Sequence, residues 1–410
     1  MRSKLHTILL ASGVGMATCF AAETPSAALL VLNKGNNTLA IVDPVAMKVV
    51  ARVSAGRDPH EVVASEGLAF ISNYGGNNTL SVVDLAAQKA LPPVDLGALR
   101  SPHGLAVAEG KIYFTAEANK VIGSYDPAAQ KIDWILGLGQ ERTHMIVVSQ
   151  DAKKIYTSNV NSDTISLIER GTGPGGPGRG PGPWGPPGES GPGGPGGPPP
   201  GGPGDGGPPP GAPGDGGPPP GGPGGPGEPG GPGGPGGFGG GPGGPGPGGP
   251  GGPPLGGPGG GRWNATHVTV GKGPEGFDVS PDGKEVWAAN SHDGTVSIIE
   301  VGKKSAVQSI KVSTRSSNRL KFTPDGKFVF ISDLGGRDLV VVDAVARKEL
   351  KRIALGGGAA GILMQPDGSR AYVAVGSENG VTVIDLKTLE AASQIETGPG
   401  PDGLGWAVQD

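Results

Sequence analysis

The stretch EGFDVSPDGKEVWAANSHDGTVSIIEVGKKSAVQSIKV, residues 275–312, decides the fold. A short apolar run leads to the turn PDG, then come EVWAAN, a polar turn, TVSIIE, a basic linker and AVQSIKV. These are four β-type runs separated by turn residues. Their β-branched residues alternate as strands held between packed sheets require. No apolar periodicity near 3.6 runs long enough for a helix.

The chain repeats this phrase. The place of Glu275 is taken by His60 in DPHEVVASEG (58–67), His103 in SPHGLAVAEG (101–110) and His144 in RTHMIVVSQD (142–151). It is taken again by Asn318, Ala360 and Asp402. The successive spacings are 43, 41, 131, 43, 42 and 42 residues, and the long one falls to 40 once the 91 residues 171–261 are set aside. A fixed period of this length points to a solenoid or a propeller, and four strands per period favours the propeller. The C-terminal GLGWAVQD (403–410) reads as a first strand, and ALLVLNKGNNTLAIVD (28–43) reads as a second and third. The fold class expected is therefore all-β: a seven-bladed β-propeller of four-stranded blades, closed by one C-terminal and three N-terminal strands. Such closure removes the free sheet edges of a linear array.

Composition divides the chain further. Of 410 residues 82 are Gly and 44 are Pro, and most of the excess lies in 171–261. That segment interrupts copy four between its third and fourth strands and has too few apolar side chains to offset the entropy of ordering. Its Gly-X-Y frame breaks repeatedly, so a disordered, locally polyproline-II insert is expected in place of a collagen helix. Arg2 and Lys4 followed by an apolar run to Phe20 read as a signal peptide over 1–21, with the propeller over 27–170 and 262–410. The apolar run is too short to span a bilayer, and no later segment is suited to it. A secreted or periplasmic protein, possible at the cell surface through the insert, is the expectation. Cys19 is the one cysteine, so the mature chain has no disulfide, no thiolate metal cluster and no c-type haem of the CxxCH kind. The net charge of −4 becomes two units more negative without the leader, which argues against nucleic acid as a partner.

ISNYGGNNTLSVVD (71–84), YTSN (156–159), AANSHDGTVSIIE (288–300) and ISDLGGRDLVVVD (331–343) resemble the YVTN-type β-propeller repeat. The turns SPDGKEV and TPDGKFV and the leads SPHG and GPEG are similar to it as well. The resemblance covers the mature chain except the insert. It implies a propeller akin to bacterial secreted and surface-layer proteins, near seven-bladed lactonases and electron-transfer propellers. Copy three departs, with Glu117 read at the Asn position, and copy seven has Val375-Gly376 there.

The second strand of each copy returns beside the start of the first. His103 is therefore expected near Glu117, His144 near Asn159, Glu275 near Asn290, Asn318 near Asp333, and Asp402 opposite Asn33. One channel mouth should collect His60, His103, His144, Glu275, Asn318 and Asp402, with Glu117 close by. Three imidazoles and two carboxylates have the composition of a metal or acid–base site, with His60, His103 and His144 as candidate metal ligands. The same lead also has a structural reading, in which His bonds a neighbouring loop and the following Gly relaxes the backbone. Asn33, Asn73, Asn159 and Asn290 read as turn formers, and PDG at 281–283, 324–326 and 366–368 as tight turns. No P-loop, GxSxG or HExxH occurs. The leading expectation is a monomeric, non-catalytic scaffold that binds a protein or small molecule at the His-bearing mouth or on the rim loops. The alternative is a metal-assisted hydrolase or lactonase in the channel, using a divalent metal on the His residues and Glu275 or Glu117 as base.

Overall fold

The computed structural model describes residues 23–75, 77–171 and 263–408. The leader 1–21 with Cys19, and the Gly/Pro insert apart from Gly171, lie outside the described residues. The described residues form 28 strands, numbered β1–β28 in chain order, grouped into seven antiparallel four-stranded sheets. Blade one is β1 (Ala27–Asn33), β2 (Thr38–Asp43) and β3 (Lys48–Ser54), completed on its inner side by β28 (Pro401–Val408). The two chain ends thus zip one sheet, as the sequence ends imply. Blades two to seven begin with the inner strands β4 (Pro59–Ser65), β8 (Pro102–Ala108), β12 (Thr143–Val148), β16 (Pro274–Val279), β20 (Ser317–Phe322) and β24 (Ala359–Met364).

Burial follows from this arrangement. The middle strands are apolar on both faces, because each sheet packs against a sheet on either side. The second strand of blade five, β17 (Glu285–Asn290), is buried from Val286 onward. The outermost strands, such as β19 (Ser305–Lys311), are mostly exposed. The apolar core is not one mass. It divides into clusters that each join two adjacent blades, for example Leu30, Ile41, Ile71 and Val83 between blades one and two. Another unites Trp287, Ile298, Ile331 and Val340 between blades five and six. In blade four, β14 (Thr164–Arg170) pairs with β15 (Trp263–Thr269) in unbroken register from Thr164↔Thr269 to Arg170↔Trp263. A long excursion between two paired strands is tolerable, because loop-closure entropy grows only slowly with length.

The PDG turns form as expected. Gly283, Gly326 and Gly368 are left-handed at φ 69°, 71° and 73°, and the Asp282 carboxylate accepts from Ser280 Oγ and the Lys284 amide. The four Asn residues are not turn formers. Asn33, Asn73, Asn159 and Asn290 are buried at the ends of second strands and none has positive φ. Their amide nitrogens donate across the hairpin to third-strand hydroxyls. Asn159 Nδ2 donates to Thr164 Oγ1 at 3.0 Å and Ser166 Oγ at 2.8 Å, and Asn290 Nδ2 donates to Thr295 and Ser297. Asn suits the position because one short amide reaches two acceptors while staying dry, two hydroxyls in three of the blades and Thr38 Oγ1 with the Thr397 carbonyl at Asn33.

Candidate functional site

Each inner strand carries the same irregularity at its start. Pro59 pairs with Asn73 but Val62 pairs with Ile71, so one extra residue is accommodated on the inner strand. The same shift occurs at Pro102/Leu105, Thr143/Ile146, Pro274/Phe277, Ser317/Leu320 and Ala359/Ile362, and where β28 meets β1. These are β-bulges, which re-aim a side chain and leave ladder groups unpaired. Second-strand hydroxyls take up the freed amides. The Glu61, Gly104, Met145 and Arg319 N–H groups donate to Ser72, Thr115, Ser158 and Ser332 respectively.

The bulge shifts the strand pairing by one residue, while His103 and Glu117 still come together as expected. The residue opposite the second-strand terminus is the one before each His or acid: Pro102↔Ala116, Thr143↔Asn159, Pro274↔Asn290, Ser317↔Asp333 and Pro401↔Asn33. Ala116, not Glu117, therefore holds the Asn position of blade three. Glu117 stands one place later, equivalent to Lys34 and Tyr74, and begins a 3-10 turn, Glu117–Asn119. The Gly residues after the bulge also have another role. Gly104, Gly276, Gly361 and Gly403 do not have positive φ. A Cβ on them would lie 2.6, 2.4, 2.1 and 2.1 Å from a backbone oxygen of the next blade's inner strand. They are Gly because neighbouring blades touch there, not because the backbone twists.

The bulge side chains His60, His103, His144, Glu275, Asn318 and Asp402 all line one chamber of about 380 Å³ at the channel mouth. Ala360 lines it at blade seven. The chamber also contains residues the repeat reading missed. Lys34 and Tyr74 follow second strands, Arg142 stands two places before His144, and Arg319 follows Asn318. Arg319 is buried and its guanidinium contacts the Glu61 carboxylate of blade two across the channel. Arg319 lines both this chamber and a second one of about 290 Å³ beneath it, which is walled largely by apolar inner-strand residues. The available signal for the pair was that the position after the bulge is Gly in four copies but Glu61, Met145 and Arg319 in the others.

The imidazoles form a ladder. Ring centroids are 4.6 Å apart for His60–His103 and 3.8 Å for His103–His144, with Tyr74 4.7 Å from His60 and 5.2 Å from His103. Their charges differ. Burial and the nearby Lys34 ammonium push His60 down to about 4, outweighing Asp402 and Asp58. Burial, together with the adjoining His144 and His60, holds His103 well below its ordinary value. Burial opposes charge on His144 too, but Glu117 and Glu275 outweigh it and raise its pKa. Its Nδ1 contacts Glu117 Oε1. Its Nε2 lies 3.0 Å from Glu275 Oε1, close enough for charge attraction but without hydrogen-bond alignment. Burial would raise Glu275, yet His144 and Arg142 bring it down to about 2. Burial and a 2.8 Å hydrogen bond donated to Glu117 Oε2 raise Tyr74 to about 12. Lys34 lies 3.4 Å from Asp58 and 3.2 Å from Asp402. Within this array His103 Nδ1 and Asn318 Oδ1 are buried without a partner.

No protein-family model and no curated protein matches the chain. Solved structures resemble it in fold. A functionally unknown protein of Desulfotomaculum acetoxidans is 9% identical, with a TM-score of 0.61 over 93% of this chain and 99% of that one. A protein from Lactobacillus plantarum is 11% identical, with a TM-score of 0.59 over 93% and 99%. The dihydro-heme d1 dehydrogenase NirN, solved in complex with DHE, is 14% identical, with a TM-score of 0.53 over 91% of this chain and 64% of that one. At these identities the likeness carries the propeller fold alone.

Proposed function

We propose that this chain is an exported, YVTN-type propeller that binds a small, uncharged polar ligand in the mouth chamber without transforming it. The observation that carries this reading is the chamber itself. Polar side chains from the inner strands converge on a recess of about 380 Å³, floored by the Glu61–Arg319 pair, and three buried polar atoms there, on His103, His144 and Asn318, lack hydrogen-bond partners. A ligand offering hydroxyl or amide groups would satisfy them.

Charge favours a neutral ligand. Lys34 faces Asp58 and Asp402, Arg142 faces Glu117 and Glu275, and Arg319 faces Glu61. Each cation is already opposed by carboxylate, so an inorganic anion would have to break an ion pair to bind. The chamber also lacks the parts of covalent acyl transfer: among the described residues that line it there is no Ser, Thr or Cys. The test is calorimetry of the purified protein against panels of neutral sugars and polyols, amino acids and inorganic anions, with Asn318→Leu alongside. Saturable binding of a neutral compound, weakened at least tenfold by the substitution, supports the reading. Binding confined to anions, or no saturable binding in any panel, removes it. Turnover of a lactone or ester lost in His144→Ala replaces it with the hydrolytic alternative.

A further inference from the structure

We propose that His103, Glu117 and His144 form a site for one divalent transition-metal ion, with zinc the best match to the donors. One ligand atom from each lies within 4.8 Å of the other two, and all three residues are buried. The trio differs from the His60, His103 and His144 set expected from the repeat. Glu117 enters from the turn after a second strand, while His60 stays outside the close group.

Three observations support the assignment independently of one another. His103 is 1% exposed, and its Nδ1 has no hydrogen-bond partner. A buried nitrogen left unpaired calls for an explanation, and a bound ion supplies one. The second observation is Glu117, a carboxylate 8% exposed at a repeat position that other blades fill with Lys34, Tyr74 or Val160. Burying a carboxylate is costly unless it meets positive charge; Arg142 and His144 already oppose this one, and an ion would add to them at its inward oxygen. Third, that carboxylate is held on one oxygen and turned inward on the other. Oε2 accepts from Tyr74 at 2.8 Å and lies 3.7 Å from Arg142 Nε, while Oε1 faces His144. Orienting bonds of this kind are the usual outer support of a metal-ligating carboxylate.

Two imidazoles and a carboxylate match the three-ligand zinc set that keeps a fourth position open. His103 and His144 line the mouth chamber, so the open position belongs to the chamber side. An ion would enter between Glu117 Oε1 and His144 Nδ1, which are now in contact. Both readings draw on the unpaired His103 Nδ1: with the ion bound there the neutral ligand keeps Asn318 Oδ1, and loss of the ion returns both atoms to that ligand.

The experiment is equilibrium dialysis of chelator-stripped full-length protein against Zn²⁺, with bound metal counted by mass spectrometry. Visible absorption of the Co²⁺ form supplies the second measurement. One ion per chain is expected, with intense tetrahedral Co²⁺ bands. His103→Ala and Glu117→Gln should each weaken binding by more than about 100-fold, and Tyr74→Phe by about 10-fold to 100-fold as a lost orienting bond. His292→Ala, away from the channel, should leave it unchanged. Each variant is checked by thermal melting, and if the ligand variants fail to fold, the wild-type Co²⁺ spectrum decides. Less than one ion per chain, or affinity unaltered in His103→Ala and Glu117→Gln, overturns the proposal. So do octahedral Co²⁺ bands, or an equal loss in His60→Ala.

Discussion

The two chambers of the channel are lined by the same seven inner strands, yet imidazoles and carboxylates converge in one, while aliphatic and aromatic side chains dominate the other beside Glu61, Arg319 and Lys321. Above the Glu61–Arg319 pair the walls are His60, His103, His144, Glu275 and Asp402. Below it they include Val62, Leu105, Ile146, Phe277, Ile362 and Leu404. The difference lies in register. The upper residues sit in the bulge, where the strand is out of step and a side chain can turn to the axis. The lower ones follow it, where regular pairing resumes at Val62↔Ile71 and its equivalents. A propeller can therefore vary the chemistry of its mouth at one position per blade without disturbing the packed ring beneath.

The divider is where this contrast breaks most readily. Arg319→Met removes a buried guanidinium and leaves the half-buried Glu61 carboxylate without its partner, and a loss of about 3–5 kcal/mol is expected, read from urea unfolding. The double variant Glu61→Met, Arg319→Met should recover most of it. A single substitution as mild as a surface change would show that nothing separates the chambers.

The upper chamber carries a pH liability. His60 is held at about 4 in the folded protein, against about 6.5 in the unfolded chain. As pH falls below 6.5 the unfolded chain takes up a proton that the folded one refuses. Stability should therefore drop across pH 6.5 to 4, by about 3 kcal/mol from this group, and level off below. His144, whose pKa is raised, acts oppositely: its contribution is whole below pH 6.5 and is lost as pH rises through its folded value. Comparing wild type with His60→Gln at pH 7.5, 5.5 and 4.5 isolates the first effect. Parallel pH profiles would contradict a half-buried neutral imidazole.

The seam between blades one and two comes next. Gly403→Ala places a methyl 2.1 Å from the His60 carbonyl oxygen, and about 1–3 kcal/mol of destabilisation should follow. A neutral result in thermal melting would mean that blades one and two are less tightly joined than the structure shows. The smallest effect belongs to the frame outside the channel. Asn159→Ala strips two hydroxyls of their donor and should cost about 1–2 kcal/mol by chemical denaturation, with ligand binding in the mouth unchanged.

Much of the candidate site was legible because it occupies one place in a repeat. Aligning the copies brought His60, His103, His144, Glu275, Asn318 and Asp402 together before any coordinates. Glu117 lies one residue past the place its sequence suggests, since FTAEAN sets an acid beside the Asn position and the true equivalent is Ala116. Tyr74, Lys34 and Arg142 escaped notice because they flank the repeated position and reach the mouth from loops. Glu61 and Arg319 are 258 residues apart in sequence and meet only because the ring closes.

The sequence by itself determined the number of blades, the four strands in each and the closure by both chain ends. Those follow from local alternation, turn residues and a constant period, all of which act over a few tens of residues. The tertiary structure alone decided which side chains face one another across the channel. A one-residue bulge changes a side chain's direction without changing the apolar pattern, and charges on distant blades pair only after the circle is complete.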